Sequence, residues 1–315
     1  MDRRDFLRSI ALAGAVATIR DNKAMTLMSQ HFKGESPTTP AETYDLVAVL
    51  GGEPTTMFQK AISELGGMKK FISKGQKVVV KPNIGWDKTP DLAANTNPDL
   101  IKEIIKQCYD AGASEVIVFD HTCDDWKKCY TNSGIEAAAK AVGAKVIPAD
   151  LESYYNKVDL PKAQTLKTAK IHKAILESDV WINVPVLKNH GGAKMSIAMK
   201  NLMGIVWDRR YFHANNLQQC IADISTFSKR PVLNIVDAYR VMKDNGPRGR
   251  NEADVVLSKA LFISQDIVAV DTAATNFFNQ IREMPLEDIK YISMADKLNS
   301  GTMQLNKLKI KRIRI

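Results

Sequence analysis

The run Lys188-Asn189-His190-Gly191-Gly192-Ala193-Lys194, followed by Lys200 and Asn201, brings three ammonium groups, an imidazole and two amides into one short stretch. Cations at this density favour a phosphate or a carboxylate, and paired glycines let backbone N–H groups approach an anion closely. Residues 184–214 hold five Lys and Arg against a single Asp, with His190 and His213 besides. Met195–Trp207 is apolar almost all round, a pattern that predicts a buried helix. An unpaired ammonium on such a helix costs several kcal/mol. Lys200 therefore needs a carboxylate, an anionic ligand, or a stem long enough to carry its head to water.

Three other segments place polar side chains directly after an apolar run of β type. Lys81-Pro82-Asn83 follows Val78–Val80, Asp120–Asp124 follows Val116–Phe119, and Asp237 with Tyr239-Arg240 follows Asn234–Val236. In parallel sheets, ligands bind beyond the carboxyl ends of the strands, so these segments together predict one site on one edge. Catalytic roles are expected of Lys188, which would bind or polarise the ligand, and of His190 or Asp237, which would handle a proton. Anion binding is expected of Lys81, Asn83, Lys194, Lys200, Asn201 and Arg248. Arg248 lies with Arg250 in a Gly- and Pro-rich loop, 237–250. Asp271 reads equally as a helix cap or a site residue. His121-x-Cys123-Asp124 offers metal-ligand types, although without zinc-type spacing.

These side chains need elements to position them. Leu46–Leu50, Lys77–Val80, Glu115–Phe119, Val180–Val184, Val232–Val236 and Leu261–Ser264 are short apolar runs that read as buried strands. Thr55–Ile72, Pro98–Ala111 and Gly134–Val142 have helical spacing, the second with Asn97 as N-cap, Pro98 in its first turn and Gly112 at its end. Strands alternating with helices predict an α/β fold: a mainly parallel open sheet with helices on both faces, in a single domain over 43–315. Residues 150–169 read as an irregular polar segment, and Thr272–Arg282 as a helix. Leu308–Ile315 alternates apolar and cationic residues, an edge strand with one wet face whose charges discourage pairing with another sheet.

Arg3-Arg4, Phe6-Leu7 and the weakly hydrophobic run Ile10–Ile19 are the parts of a twin-arginine export signal over 1–20, with Ala15-Val16-Ala17 as a cleavage site. A Ser-, Thr-, Pro- and Lys-rich linker follows over 21–42. The expected location is periplasmic or otherwise extracytoplasmic, reached through the twin-arginine machinery. No permanent membrane span is expected, since no apolar run reaches the roughly 18–20 residues a spanning helix needs. Export of folded protein favours a cofactor loaded beforehand without naming one.

The 315 residues carry a formal charge of +9, but five basic and three acidic groups lie in 1–23, and five basic and no acidic groups in 305–315. The body between is nearly balanced, so the net charge implies no nucleic-acid partner, and the small anionic ligand is expected from the basic 184–214 cluster alone. With 45% apolar and 25% charged residues, the composition excludes a disordered chain and a disulfide-stapled miniprotein.

Lys81-Pro82-Asn83, Val184–Gly204, Asp237 with Gly246-Pro247-Arg248-Gly249, and Asp266–Asp271 together resemble the uncharacterised family called domain of unknown function 362. The runs Lys188–His190 and Lys200–Gly204 are the most specific part. Members are often fused to iron–sulfur ferredoxin-like modules, so the resemblance implies a redox neighbourhood and a redox partner protein, and no established reaction. This chain has only Cys108, Cys123, Cys129 and Cys220, without C-x-x-C spacing, so it encodes no ferredoxin-type cluster. Cys123 and Cys129 share a loop and are candidates for a disulfide outside the cytoplasm. The expected protein is an exported, redox-associated enzyme with a basic strand-end pocket for a small anionic ligand or cofactor. The alternative is a non-catalytic binding or maturation protein that holds an anionic cofactor or metal complex for a redox partner.

Overall fold

In the strand Leu46–Leu50, Leu46, Ala48 and Leu50 join one hydrophobic cluster while Val47 and Val49 join another. In Lys77–Pro82, Val79 goes to the first cluster and Val78 and Val80 to the second. A strand apolar at successive positions is what a sheet covered on both faces requires. The computed structural model describes residues 43–315, which form one compact unit. The expected signal over 1–20, its cleavage site and the linker over 21–42 lie outside the described residues.

The strands are β1 (Leu46–Leu50), β2 (Lys77–Pro82), β3 (Glu115–Val118), β4 (Lys145–Val146), β5 (Tyr155–Asp159), β6 (Thr168–His172), β7 (Val180–Val184), β8 (Val186–His190), β9 (Lys194–Ser196), β10 (Leu233–Met242), β11 (Val255–Ser264) and β12 (Ile310–Arg314). Ten form one sheet, whose main path is β12-β1-β11-β10-β7-β2-β3-β4. From β10 to β4 every neighbour pair is parallel, and β11 runs antiparallel to both β10 and β1. β8 runs parallel to β10, past the end of β7, and folds back through β9. β5 and β6 form a separate hairpin.

One face of the sheet is covered by α1 (Pro54–Glu64), α2 (Pro98–Asp110), α3 (Trp126–Asn132) and α4 (Ile135–Lys140). The other is covered by α5 (Lys173–Glu177), α6 (Ala198–Asn201), α7 (Arg209–Ala214), α8 (Leu217–Ile224), α9 (Ile267–Ile281) and α10 (Lys290–Lys297). The fold is α/β with a mostly parallel sheet and helices on both faces. From β2 the chain moves outward to β3 and β4, with α2, α3 and α4 on one face. From β7 it moves the other way to β10, with α8 on the opposite face. The β2/β7 boundary is therefore a topological switch point, where diverging connections open a crevice.

Several expected elements change shape. The helix expected over 55–72 ends at Glu64, because Gly66 and Gly67 take φ of +97° and +81°. Met195–Trp207 is buried as expected, but it is not one helix: β9 closes a hairpin, α6 supplies four residues, and Leu202–Ile205 is a 3₁₀ turn. Gly191-Gly192 accordingly turns a hairpin and does not lead into a helix start. The irregular 150–169 segment contains β5 and the start of β6. β12 is an edge strand, parallel to β1, yet Ile310 packs on one core and Ile313 on the other. Its alternation slips at Lys311-Arg312, so it has no uniformly wet face. By contrast α2 is built as read: Asn97 caps it, accepting from the backbone N–H of Asp99 at 2.9 Å.

Candidate functional site

The carboxyl ends of β2, β3 and β7 open into a cleft of about 1170 Å³. It is lined by six of the nine residues expected at the site: Lys81, Asn83, Lys188, His190, Lys200 and Asn201. Eight lysines and arginines line it against three carboxylates.

Lys81 is the innermost cation. It leaves β2 fully buried, and its Nζ lies 2.8 Å from Asp120 Oδ1 and 2.7 Å from Asn201 Oδ1. Burial pushes its pKa down, and Asp120 opposes that shift. The other Asp120 oxygen accepts from Ile84 N–H at 2.6 Å. Leaving either charge unpaired here costs about 3–5 kcal/mol. Gly204 packs on this pair so closely that a Cβ would sit 1.9 Å from Asp120 Oδ1 and 2.5 Å from Lys81 Nζ. Only glycine allows the floor of the cleft to lie against the ion pair.

Lys188, on β8, is 1% exposed, and its partners are neutral oxygens: Asn83 Oδ1 at 2.9 Å and the Ala94 carbonyl. Desolvation lowers it to about 7, and the nearby Lys200 adds to the shift. Lys200, on α6, is half-buried and has no hydrogen-bond or ion-pair partner among the described residues. Desolvation lowers it to about 8. Behind these lysines runs a row of amides. Asn83 Nδ2 donates to Asn201 Oδ1 at 3.3 Å, Asn201 Nδ2 to Asn183 Oδ1 at 2.8 Å, and Asn183 Nδ2 to Asn234 Oδ1 at 3.0 Å. The row starts at Lys188 and ends on the carbonyls of Ser264 and Gln265.

His190 Nδ1 accepts from the N–H of Gly192 at 3.1 Å and of Ala193 at 3.0 Å. The ring proton therefore sits on Nε2. Burial and the neighbouring lysines lower the imidazole to about 2, so it is neutral throughout the physiological range. It is a neutral N–H donor in the cleft wall.

The remaining three expected residues lie elsewhere, and each has a physical reason. Asp237 turns away from the cleft: its carboxylate accepts from the N–H of Asn97 at 2.7 Å and of Tyr239 at 3.0 Å. It anchors the start of α2, and desolvation raises it to about 6. Lys194 is exposed at the hairpin turn with φ of +69°. Arg248 stands at the rim, 3.4 Å from Asp124 and over the ring of Trp86, which does line the cleft. Asp271 is a cap, but of another helix. It lies inside α9, which Asp266 caps, and receives the N–H groups of Ala198 and Met199 at 2.7 and 3.1 Å.

Sequence reasoning missed one wall. Arg209 fixes the loop after β3 by donating to the carbonyls of His121 at 2.7 Å and Thr122 at 2.5 Å. His121 Nδ1 donates to the Val206 carbonyl, and its ring stacks parallel on Trp207 with centroids 5.2 Å apart. The loop before β6 is tied down by buried Asp223, which accepts from the N–H of Gln164, Thr165 and Leu166 at 2.7–2.8 Å. Asp208-Arg209-Arg210 was the available signal, a dense charged run directly after apolar sequence. At the mouth, a Cβ on Gly246 would lie 1.8 Å from the Asn189 carbonyl, so glycine lets this loop dock on β8 and bring Pro247 to the rim.

All four cysteines are free, so the expected Cys123–Cys129 disulfide is not formed: Cys129 is buried in α3 and Cys123 is exposed in the cleft. Arg209 Nη1 lies 3.4 Å from Cys123 Sγ. Among the described residues no three His, Cys, Asp or Glu side chains cluster closely enough to hold a metal ion, which removes the His121-x-Cys123-Asp124 reading. Among them, too, no helix is long and apolar enough to cross a membrane.

The family model described as Domain of unknown function (DUF362) matches residues 78–276. A thylakoid-associated protein of Synechocystis sp. is 24% identical over 223 residues, which is 68% of this chain and 67% of that protein. Among solved structures, the lactate racemase apoprotein of Thermoanaerobacterium thermosaccharolyticum aligns with a TM-score of 0.44 at 13% identity, over 68% of this chain and 53% of that one. A protein from Thermotoga maritima aligns with a TM-score of 0.49 at 12% identity, over 73% of this chain and 60% of that one. This chain therefore spans less than two thirds of either structure's length.

Proposed function

This chain belongs to the DUF362 family, and from that premise we propose that its strand-end cleft binds a small anion through a phosphate or carboxylate group. One observation carries the reading. Lys200 faces the cleft without an ion-pair partner among the described residues, beside buried Lys188, whose hydrogen-bond partners are all uncharged. Two ammonium groups held this way repel each other and lose hydration, and an anion between them relieves both penalties. His190 supplies a neutral N–H, and Lys81, already neutralised by Asp120, serves as the floor.

Calorimetric titration with inorganic phosphate, and separately with oxalate, tests this. Binding of at least one is expected, with proton uptake near pH 8 as the lysines become fully charged. Lys200→Met should weaken it by about tenfold or more, the value of one charge-assisted contact, without lowering the melting temperature. No heat with either anion, or unchanged affinity in the variant, sinks the proposal.

The site of action is part of the same proposal. Arg3-Arg4 ahead of Ile10–Ile19 supports export through the twin-arginine route, with a redox protein as the partner that the family's ferredoxin-bearing members suggest. Replacing both arginines by lysine should leave uncleaved precursor in the cytoplasm on cell fractionation. Undiminished export would rule the route out.

A further inference from the structure

Building on the anion-binding reading, we propose that the ligand is a nucleotide-type phosphate ester, with its planar heteroaromatic ring seated on Trp207 and its phosphate at Lys200 and His190. The first argument is size. Pockets of about 300–1,000 Å³ take whole drug-sized ligands, and this cleft, at about 1170 Å³, exceeds what a free oxyanion or a small dicarboxylate fills.

The second is the wall. Trp207 is half-buried, lines the cleft and is fixed before any ligand arrives. Its backbone N–H donates to Lys170 on β6 at 3.0 Å, and its ring lies parallel to His121 and tilted against Tyr155 at 5.4 Å. A rigid indole beside a cationic pole is the arrangement that stacks a ring and holds its phosphate, and its rigidity lowers the cost of binding. Tyr211, 38% exposed, adds a second aromatic surface to the same cleft.

The third is charge. Beyond the inner lysines, the outer wall carries Lys157 and Arg210, exposed and without partners among the described residues. That excess suits more negative charge than one carboxylate brings. A small dicarboxylate would use the inner lysines and leave the aromatic wall and the outer cations in contact with water alone.

The test compares adenosine monophosphate and flavin mononucleotide with inorganic phosphate, on the native protein and on Trp207→Leu and Trp207→Phe. At least one nucleotide should bind about tenfold or more tightly than phosphate, the stacking increment expected for one base, and quench tryptophan emission. Trp207→Leu should erase that advantage and leave phosphate affinity unchanged, whereas Trp207→Phe, which keeps a ring in place, should retain most of it. If phosphate binds and neither nucleotide binds better, the nucleotide assignment is wrong and the anion site stands. If none of the three binds, both fall. An advantage that survives in a folded Trp207→Leu protein also overturns the assignment.

Discussion

Two lysines in this molecule are held where water is scarce, and among the described residues neither makes an ion pair with a carboxylate. Lys188 near 7 and Lys200 near 8 are both depressed by desolvation, whereas unfolded lysines keep their protons to about 10.4. Between those values an unfolded lysine binds a proton that its folded counterpart lacks, so these two lysines add stability as pH rises toward 10 and withdraw it as pH falls toward 7. Asp271, raised by burial to about 8, acts in the opposite sense below that value. Above about pH 8.5 the buried thiols of Cys108, Cys129 and Cys220, raised by desolvation, also act against the lysines. The Lys200 contribution is therefore read by difference, as a urea midpoint that rises less with pH, or falls more, in Lys200→Met than in the native protein between about pH 8 and 10. Oxalate affinity should fall over the same interval, because the ligand does not titrate there and the ammonium groups do. An affinity flat from about pH 7 to 10 would show that neither lysine meets the anion.

At the scale of elements, α6 is only four residues long and could not persist alone, since helix nucleation is unfavourable. Asp271 holds its first two N–H groups from inside α9, and α6 in turn carries Lys200 and Asn201. Asp271→Ala should cost about 2 kcal/mol or more, through two orphaned buried donors, and should abolish phosphate binding together with it. Retained binding in that variant would separate the cap from the site. Strands β1, β2, β3 and β7 and helix α2 were legible in the sequence because their apolar residues carry a period and their ends carry Asn, Pro and Gly signals. The 195–207 segment was not, since residues apolar on every side have no readable period. Asp237 was misassigned for a related reason. Its place at the end of an apolar run was clear, but a strand-end position does not reveal whether the carboxylate faces a ligand or the start of a neighbouring helix.

The whole molecule places its cleft at the β2/β7 switch point, and strand order across a sheet is not written in any local pattern. That is why Lys81, Lys188 and Lys200 could be anticipated from their neighbours, and His121 as part of a strand-end segment, while Trp207 and the clasp made by Arg209 could not. Trp207 and Arg209 reach the cleft at the start of α7 and beside the β5–β6 hairpin, whose docking depends on buried Asp223 and on Arg209 clasping the loop after β3, which carries His121. The same topology exposes one thiol and hides three. Without reductant, iodoacetamide should modify Cys123 rapidly and Cys108, Cys129 and Cys220 slowly, since burial also raises their pKa, to about 12 for Cys129 and about 11 for Cys220. Phosphate should protect Cys123. Equal rates with and without phosphate would mean that the anion binds outside this cleft.

The four asparagines behind the lysines all point the same way, each handing its nitrogen to the next oxygen. None can be inverted alone, because turning one would set nitrogen against nitrogen on one side and oxygen against oxygen on the other. Nor can the row reverse as a unit, because the Lys188 ammonium only donates at one end and the carbonyls of Ser264 and Gln265 only accept at the other. Five segments distant in sequence, from Asn83 to Gln265, are thereby stitched in one fixed alignment, and the cavity's innermost surface keeps its shape whether or not anything is bound in front of it.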